Sequence, residues 1–181
     1  MAGAGDVTAG LATLGAAGWT VTPNTVFNTP GLVGTSTNNN AAAGQVGEVI
    51  KATVAAGAAV ALATGVAANI TSISLTAGDW DVQGTVDFTI AATTNIVQLL
   101  QGVSVVSATL ASQPGGSGLD TDPNTNAFFF SFAPGAIPLS YSTPVVRLSL
   151  AATTTVYLVE QATFTVSTLA GFGTLRARRV R

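Results

Sequence analysis

The sequence contains no cysteine and no histidine. These two absences remove thiol nucleophiles, disulfides, Ser-His-Asp triads, histidine general bases and nearly every zinc or iron site. Charge is scarce as well. Only 8% of the residues are charged, against about 25% in ordinary soluble domains. Solubility therefore rests on neutral polar side chains, with 31 Ala, 27 Thr and 20 Gly dominating the 181 residues. Such a surface suits an extracellular-style β protein, or one covered by copies of itself or by neighbours. The N-terminus lacks the basic region of a secretory signal. The uncharged stretch from Ala52 to Gly78 has few large apolar residues and is followed by a second uncharged run, Phe88 to Leu119. Neither reads as a membrane span, so no membrane insertion is expected.

What is present is unevenly placed. Apolar residues make up 48%, enough for a core. Four of the six basic residues are Arg176, Arg178, Arg179 and Arg181, so residues 1–175 hold two basic and eight acidic groups, a net −6. A basic tail on an acidic body favours an acidic neighbour, such as another copy of the chain.

Residues 1–46 show little strand pattern and carry the polar run Thr35 to Asn40. Prolines 23 and 30 favour an extended path. This segment reads as an N-terminal docking arm or linker, with Trp19, Phe27 and Leu32 among its anchors, that orders on docking to a partner. Residues 47–181 read as a β domain. Trp80, Val82, Val86, Phe88 and Ile90 fall on every second position between polar residues, the mark of a half-buried strand. Asn69 to Leu75 alternates similarly, with Ile70 out of phase. Further strands are expected at 48–53, 58–63, 96–106, 127–132, 145–150, 156–166 and 171–180, separated by Gly, Pro and Asx turns. Eight or nine short strands without a long helix predict an all-β fold, an antiparallel jelly-roll β-sandwich with an extended N-terminal arm.

Two segments add detail. Ile90-Ala91-Ala92-Thr93-Thr94-Asn95-Ile96 echoes Leu150-Ala151-Ala152-Thr153-Thr154-Thr155-Val156, which predicts two hairpins of one design in equivalent places of two sheets. In Val156 to Val166, the face of Val156, Leu158, Ala162, Phe164 and Val166 is interrupted by Glu160, and the opposite face begins apolar with Tyr157 and Val159. A strand apolar on both faces is usually covered on both, and a second subunit would supply the outer cover. Glu160 is then a pairing residue near an interface, or else a partly exposed acid at a sheet edge.

The run Asn69 to Val82, the run Val146 to Val159 and the ending Gly171-Phe172-Gly173-Thr174-Leu175-Arg176-Ala177-Arg178-Arg179-Val180 together resemble small β-rich structural proteins of tailed bacteriophages. These are similar in plan to the trimeric jelly-roll heads of the tumour-necrosis-factor and complement globular-head type. The resemblance spans 47–181, leaves 1–46 uncovered and carries no catalytic residues. It implies a homotrimeric virion component, assembled in the host cytoplasm and located on the capsid surface or a tail fibre.

Other constellations are weaker. Asp120, Asp122, Asn124 and Asn126 place oxygen ligands at alternate positions, as a Ca²⁺ loop begins. Thr125 and Ser131 stand where the turn glycine and bidentate Glu belong, so an Asx-rich turn is the better reading, and no metal or cofactor is expected. Asp79, Asp81 and Asp87 share one polar strand face, a spacing of about 7 Å between neighbours that inverting glycosidases use, yet nothing raises a pKa and no enzyme is expected. Arg176, Arg178 and Arg179 lack the interleaved aromatics of a nucleic-acid surface and are assigned to contacts with acidic groups of neighbouring chains, without nucleic acid. Within Phe128 to Phe132, Phe129 faces away from its neighbours and is expected at an interface.

The expected function is therefore a trimeric tail-fibre or spike subunit for host attachment, in which neutral loops contact a host saccharide with threefold avidity. The alternative is a capsid decoration, cement or head-fibre protein. The partners in both are other copies of the chain and other virion proteins.

Overall fold

A computed structural model of the chain describes residues 37–110, the backbone of 125–129, and residues 139–181. The elements below belong to one compact unit, Asn39–Arg181. Ten strands form in order: β1 (Val49–Val54), β2 (Val60–Ala61), β3 (Ala67–Leu75), β4 (Gly78–Ile90), β5 (Asn95–Ser104), β6 (Thr125–Phe129), β7 (Ser140–Ser142), β8 (Val146–Leu150), β9 (Thr154–Thr165) and β10 (Leu169–Arg179). A single 3-10 turn at Ala56–Ala58 is the helical content of the described residues. The chain is all-β, and every strand pairing is antiparallel.

The first sheet runs β1-β10-β4-β7, with β2 also on β10 and β8 also on β4; the second runs β3-β9-β5-β6. Alternation places one face of each sheet inward. Trp80, Val82, Val86 and Phe88 of β4, Leu175 and Ala177 of β10, Val156, Leu158, Ala162 and Phe164 of β9, and Ile73 and Leu75 of β3 fill one core between the sheets. The sheets approach closely where β4 and β10 have glycine. A Cβ on Gly84 would run into the Leu158 side chain, and one on Gly171 would lie 2.7 Å from Ile70 Cδ1. Here glycine admits the facing side chain.

The structure corrects several details of the sequence reading. Ile70 is not out of phase. The β3–β9 register slips between Asn69 and Thr71, and this bulge turns Ile70 inward, leaving it 2% exposed. The two Ala-Ala-Thr-Thr segments are not hairpins within a sheet. Residues 91–94 carry the chain from β4 in the first sheet to β5 in the second, and residues 151–153 carry it from β8 to β9 in the same direction. In the first crossing Thr94 is buried, its Oγ1 donating to the Thr168 carbonyl at 2.7 Å. Strand β7 had no sequence signature. Pro144 separates it from β8, and Thr143 fills the gap: its amide donates to Gly84 O at 2.8 Å and its Oγ1 accepts from Gly84 N at 2.9 Å. Proline is tolerated there because this strand lies at a sheet edge.

Candidate functional site

The charged residues of the described chain fall into three groups. The first closes the end of β10. Arg179 is 4% exposed; its Nε donates to Glu48 Oε2 at 2.9 Å, its Nη1 to the Ala77 carbonyl at 2.9 Å, and its Nη2 to Thr76 Oγ1. The guanidinium carbon lies 4.1 Å from the centre of the Trp80 ring, a cation–π contact. The Gly44 amide holds the Glu48 carboxyl below its ordinary pKa, with help from Arg179. Beside this, Asp79 is 3% exposed and accepts from Arg147 Nη2 at 2.9 Å and from Arg181. The Arg147 bond first, then Ser149 and Arg181, hold its pKa down at about 2. Asp79 was expected on a wet face; its arginines instead bury it as a permanent carboxylate. A group ionised at every working pH cannot donate a proton, so Asp79 cannot serve as a general acid.

The second group lies inside the core. Glu160 is fully buried, with Tyr141 of β7 donating to both its carboxyl oxygens at 2.9 Å. Directly across the β5–β9 ladder stands Gln101, also fully buried, with neither amide atom hydrogen bonded. The Tyr141 ring stacks on Phe88 with centroids 5.6 Å apart. Burial drives the Glu160 pKa well upward, only partly offset by the Tyr141 bond, which favours the protonated acid. Burial also raises Tyr141, and its interaction with Glu160 adds to it. Neither alternative for Glu160, interface or exposed edge, is what the pleat produced: β9 turns it inward toward a tyrosine of the other sheet.

The third group lies on the outer face of the first sheet. Lys51 of β1 is the cross-strand partner of Arg176, Arg178 pairs in register with Asp81, and Phe172 with Asp87. Lys51, Arg176 and Arg178 are exposed. Between the ends of this face runs a hydroxyl row, with Thr53 Oγ1 3.0 Å from Thr174 Oγ1 and Thr85 Oγ1 2.7 Å from Ser142 Oγ. The outer face of the second sheet differs. Tyr157, Gln161, Thr163, Gln98 and Leu100 are half-buried there, and the face carries no charged side chain among the described residues.

The remaining expected site residues divide accordingly. Tyr157 lies on that neutral face, and Val159 on the same face is fully buried within the chain. Arg176 and Arg178 are free to meet a neighbour, whereas Arg179 is consumed inside its own chain by Glu48, so it is not an intermolecular contact. Phe129 sits in β6 opposite Gln98, with its side chain outside the described atoms. Trp19, Phe27, Leu32, Asp120, Asp122 and Asn124 lie outside the described residues, as does the side chain of Asn126. Sequence reasoning missed Lys51, Tyr141 and Gln101. Their roles come from register between distant strands, which no local pattern reports. No helix among the described residues is long and apolar enough to cross a membrane.

No protein-family model matches the sequence, and no curated protein matches it. Among solved structures, a chain of the infectious bursal disease virus Gx strain is similar with a TM-score of 0.47 and 12% identity, over 83% of this chain and 38% of that one. VP2 of the infectious bursal disease virus subviral particle is similar with a TM-score of 0.40 and 12% identity, over 74% of this chain and 32% of the other. The chain thus spans about a third of the longer viral chains it is similar to.

Proposed function

We propose that this chain is a non-enzymatic structural subunit of a virus particle, a homotrimeric bacteriophage tail-fibre or spike component built on a jelly roll. The observation that carries the reading is strand order. A sheet β1-β10-β4-β7/β8 and a second sheet β3-β9-β5-β6 support that reading, because the chain crosses between sheets from β3 to β4, β4 to β5, β8 to β9 and β9 to β10. The chemistry agrees. Among the described residues, buried carboxylates are either held by arginine, as Asp79 and Glu48 are, or hydrogen bonded in the core, as Glu160 is by Tyr141, and each is employed in holding the fold.

The arm and the loops then divide the work. Residues 1–46 dock to the particle, and neutral Thr, Asn and Ser loops meet a host saccharide through many weak contacts multiplied by the trimer. Light scattering of the purified chain tests the trimer, and a monomer at micromolar concentration refutes it. Locating the chain in an electron-microscopy map of the particle tests the rest. A few tens of copies or fewer on the tail supports the fibre reading. Hundreds of copies over the head would make it a decoration protein instead.

A further inference from the structure

Five charged side chains on the outer face of the first sheet make no ion pair among the described residues: Lys51, Arg176 and Arg178, and Asp81 and Asp87. This is costly within one copy. Lys51 and Arg176 stand directly opposite each other, and like charges opposed across a ladder destabilise it. Arg178 and Asp81 are register partners of opposite sign, yet they do not close on each other. Three of the six basic residues of the chain stand on this one patch and close no ion pair among the described residues. Asp81 lies in register between Arg178 and Arg147, and both signs are presented outward without closing an ion pair among the described residues.

We infer that this face is the contact surface between copies of the chain, with Lys51, Arg176 and Arg178 of one copy meeting Asp81 and Asp87 of the next. The inference deepens the homo-oligomeric reading above and rests on it. Charge selects the occupant. Three cations against two carboxylates is nearly self-complementary, so a second copy satisfies both signs at once. A nucleic-acid backbone would meet the cations but be repelled by Asp81 and Asp87, and Phe172 is the one aromatic residue of β10 on this face, too few for a stacking platform. Geometry also suits a flat contact. Asp87 lies four residues along the ladder from Arg176, about 13 Å at strand rise, and the hydroxyl row of Thr53, Thr174, Thr85 and Ser142 fills the interval. A neighbour set with its acidic row over this basic row would close ion pairs at both ends and hydrogen bonds between.

A charge-exchange experiment on the full chain tests this. R176E/R178E and D81K/D87K are prepared separately, and a wild-type circular dichroism spectrum confirms that each is folded. The expected result is that each variant alone needs at least roughly tenfold more protein to associate than the wild type, while an equimolar mixture restores co-association in part, because a trimer of two variants keeps one contact between like copies. Wild-type association should also weaken between about 0.05 M and 0.5 M salt. If both variants associate as the wild type does, the surface is refuted while the oligomer stands. Dissociation that the mixture fails to rescue also refutes the pairing. A wild-type chain that is monomeric throughout overturns both this inference and the oligomeric reading beneath it.

Discussion

The hydroxyl of Tyr141 lies 2.9 Å from both carboxyl oxygens of Glu160, joining the two sheets through the core. Tyr141 comes from a three-residue edge strand of the first sheet, and Glu160 from the centre of the second. The pair therefore ties a short edge strand of the sandwich to its interior. Burial there favours the neutral form of the acid, which lowers the cost of placing it in the core.

That neutrality sets a pH dependence. Glu160 has a folded pKa raised above its ordinary 4.5, so between 4.5 and the folded value the native state holds a proton that the unfolded state has released. Stability from this group is full below about pH 4.5 and is lost as pH rises toward the folded pKa. Asp79 works the other way. Its pKa is held down at about 2 from 3.8, so its contribution is present above 3.8 and lost as pH falls toward 2. Urea midpoints should therefore peak in mildly acid solution. E160Q keeps an acceptor for Tyr141 but cannot ionise, and should flatten the alkaline slope and exceed the wild type in midpoint at pH 8. An unchanged slope in E160Q would refute this.

Removing Arg179 should be severe. R179A strands the Glu48 carboxyl in a buried site and uncovers the Trp80 ring. Breaking one side of a buried pair costs about 3–5 kcal/mol. R179K keeps the charge but loses the three-way donation to Glu48, Ala77 and Thr76, and should fall between R179A and the wild type. Chemical denaturation of the three proteins gives the order directly.

Two glycines should differ in their response to a methyl group. In G84A the new Cβ meets the Leu158 side chain, an obstacle that can shift, and overpacking of this kind costs about 1–3 kcal/mol. L158V in the same chain should recover part of the loss. In G173A the obstacle is the Thr85 backbone carbonyl, and the position has φ +150. A backbone obstacle on a ladder cannot shift without breaking strand pairing, so G173A should cost more than G84A and resist rescue by side-chain trimming. Thermal melts of the series test the ranking.

Val166 offers a change in the opposite direction. It sits in the turn between β9 and β10 with φ +81 and is 83% exposed. A β-branched residue in that region carries about 1–3 kcal/mol of strain, while glycine there gives up about 1 kcal/mol of chain entropy. V166G should raise the melting temperature with no loss of packing. A lower melting temperature would show that the turn is not strained.

Local order was written in the residues themselves. Trp80, Val82, Val86 and Phe88 alternate because a pleated strand points successive side chains to opposite faces, so their inward direction needs no partner to be read. The same rule placed Glu160 on the face of Val156 and Leu158, and the shortage of charge pointed to a neutral β surface. What it could not supply was the company each side chain keeps. Ile70 faces inward through a bulge that exists only against β9, and the repeated Ala-Ala-Thr-Thr segments cross between sheets because β4 and β5 find different neighbours. Glu48 meets Arg179 across 131 residues, and Lys51 meets Arg176 by register alone. Side-chain direction follows from the bond geometry of two adjacent peptides. Pairing follows from which distant strands minimise exposed backbone and apolar surface together, and that is decided by the closed sandwich as a whole.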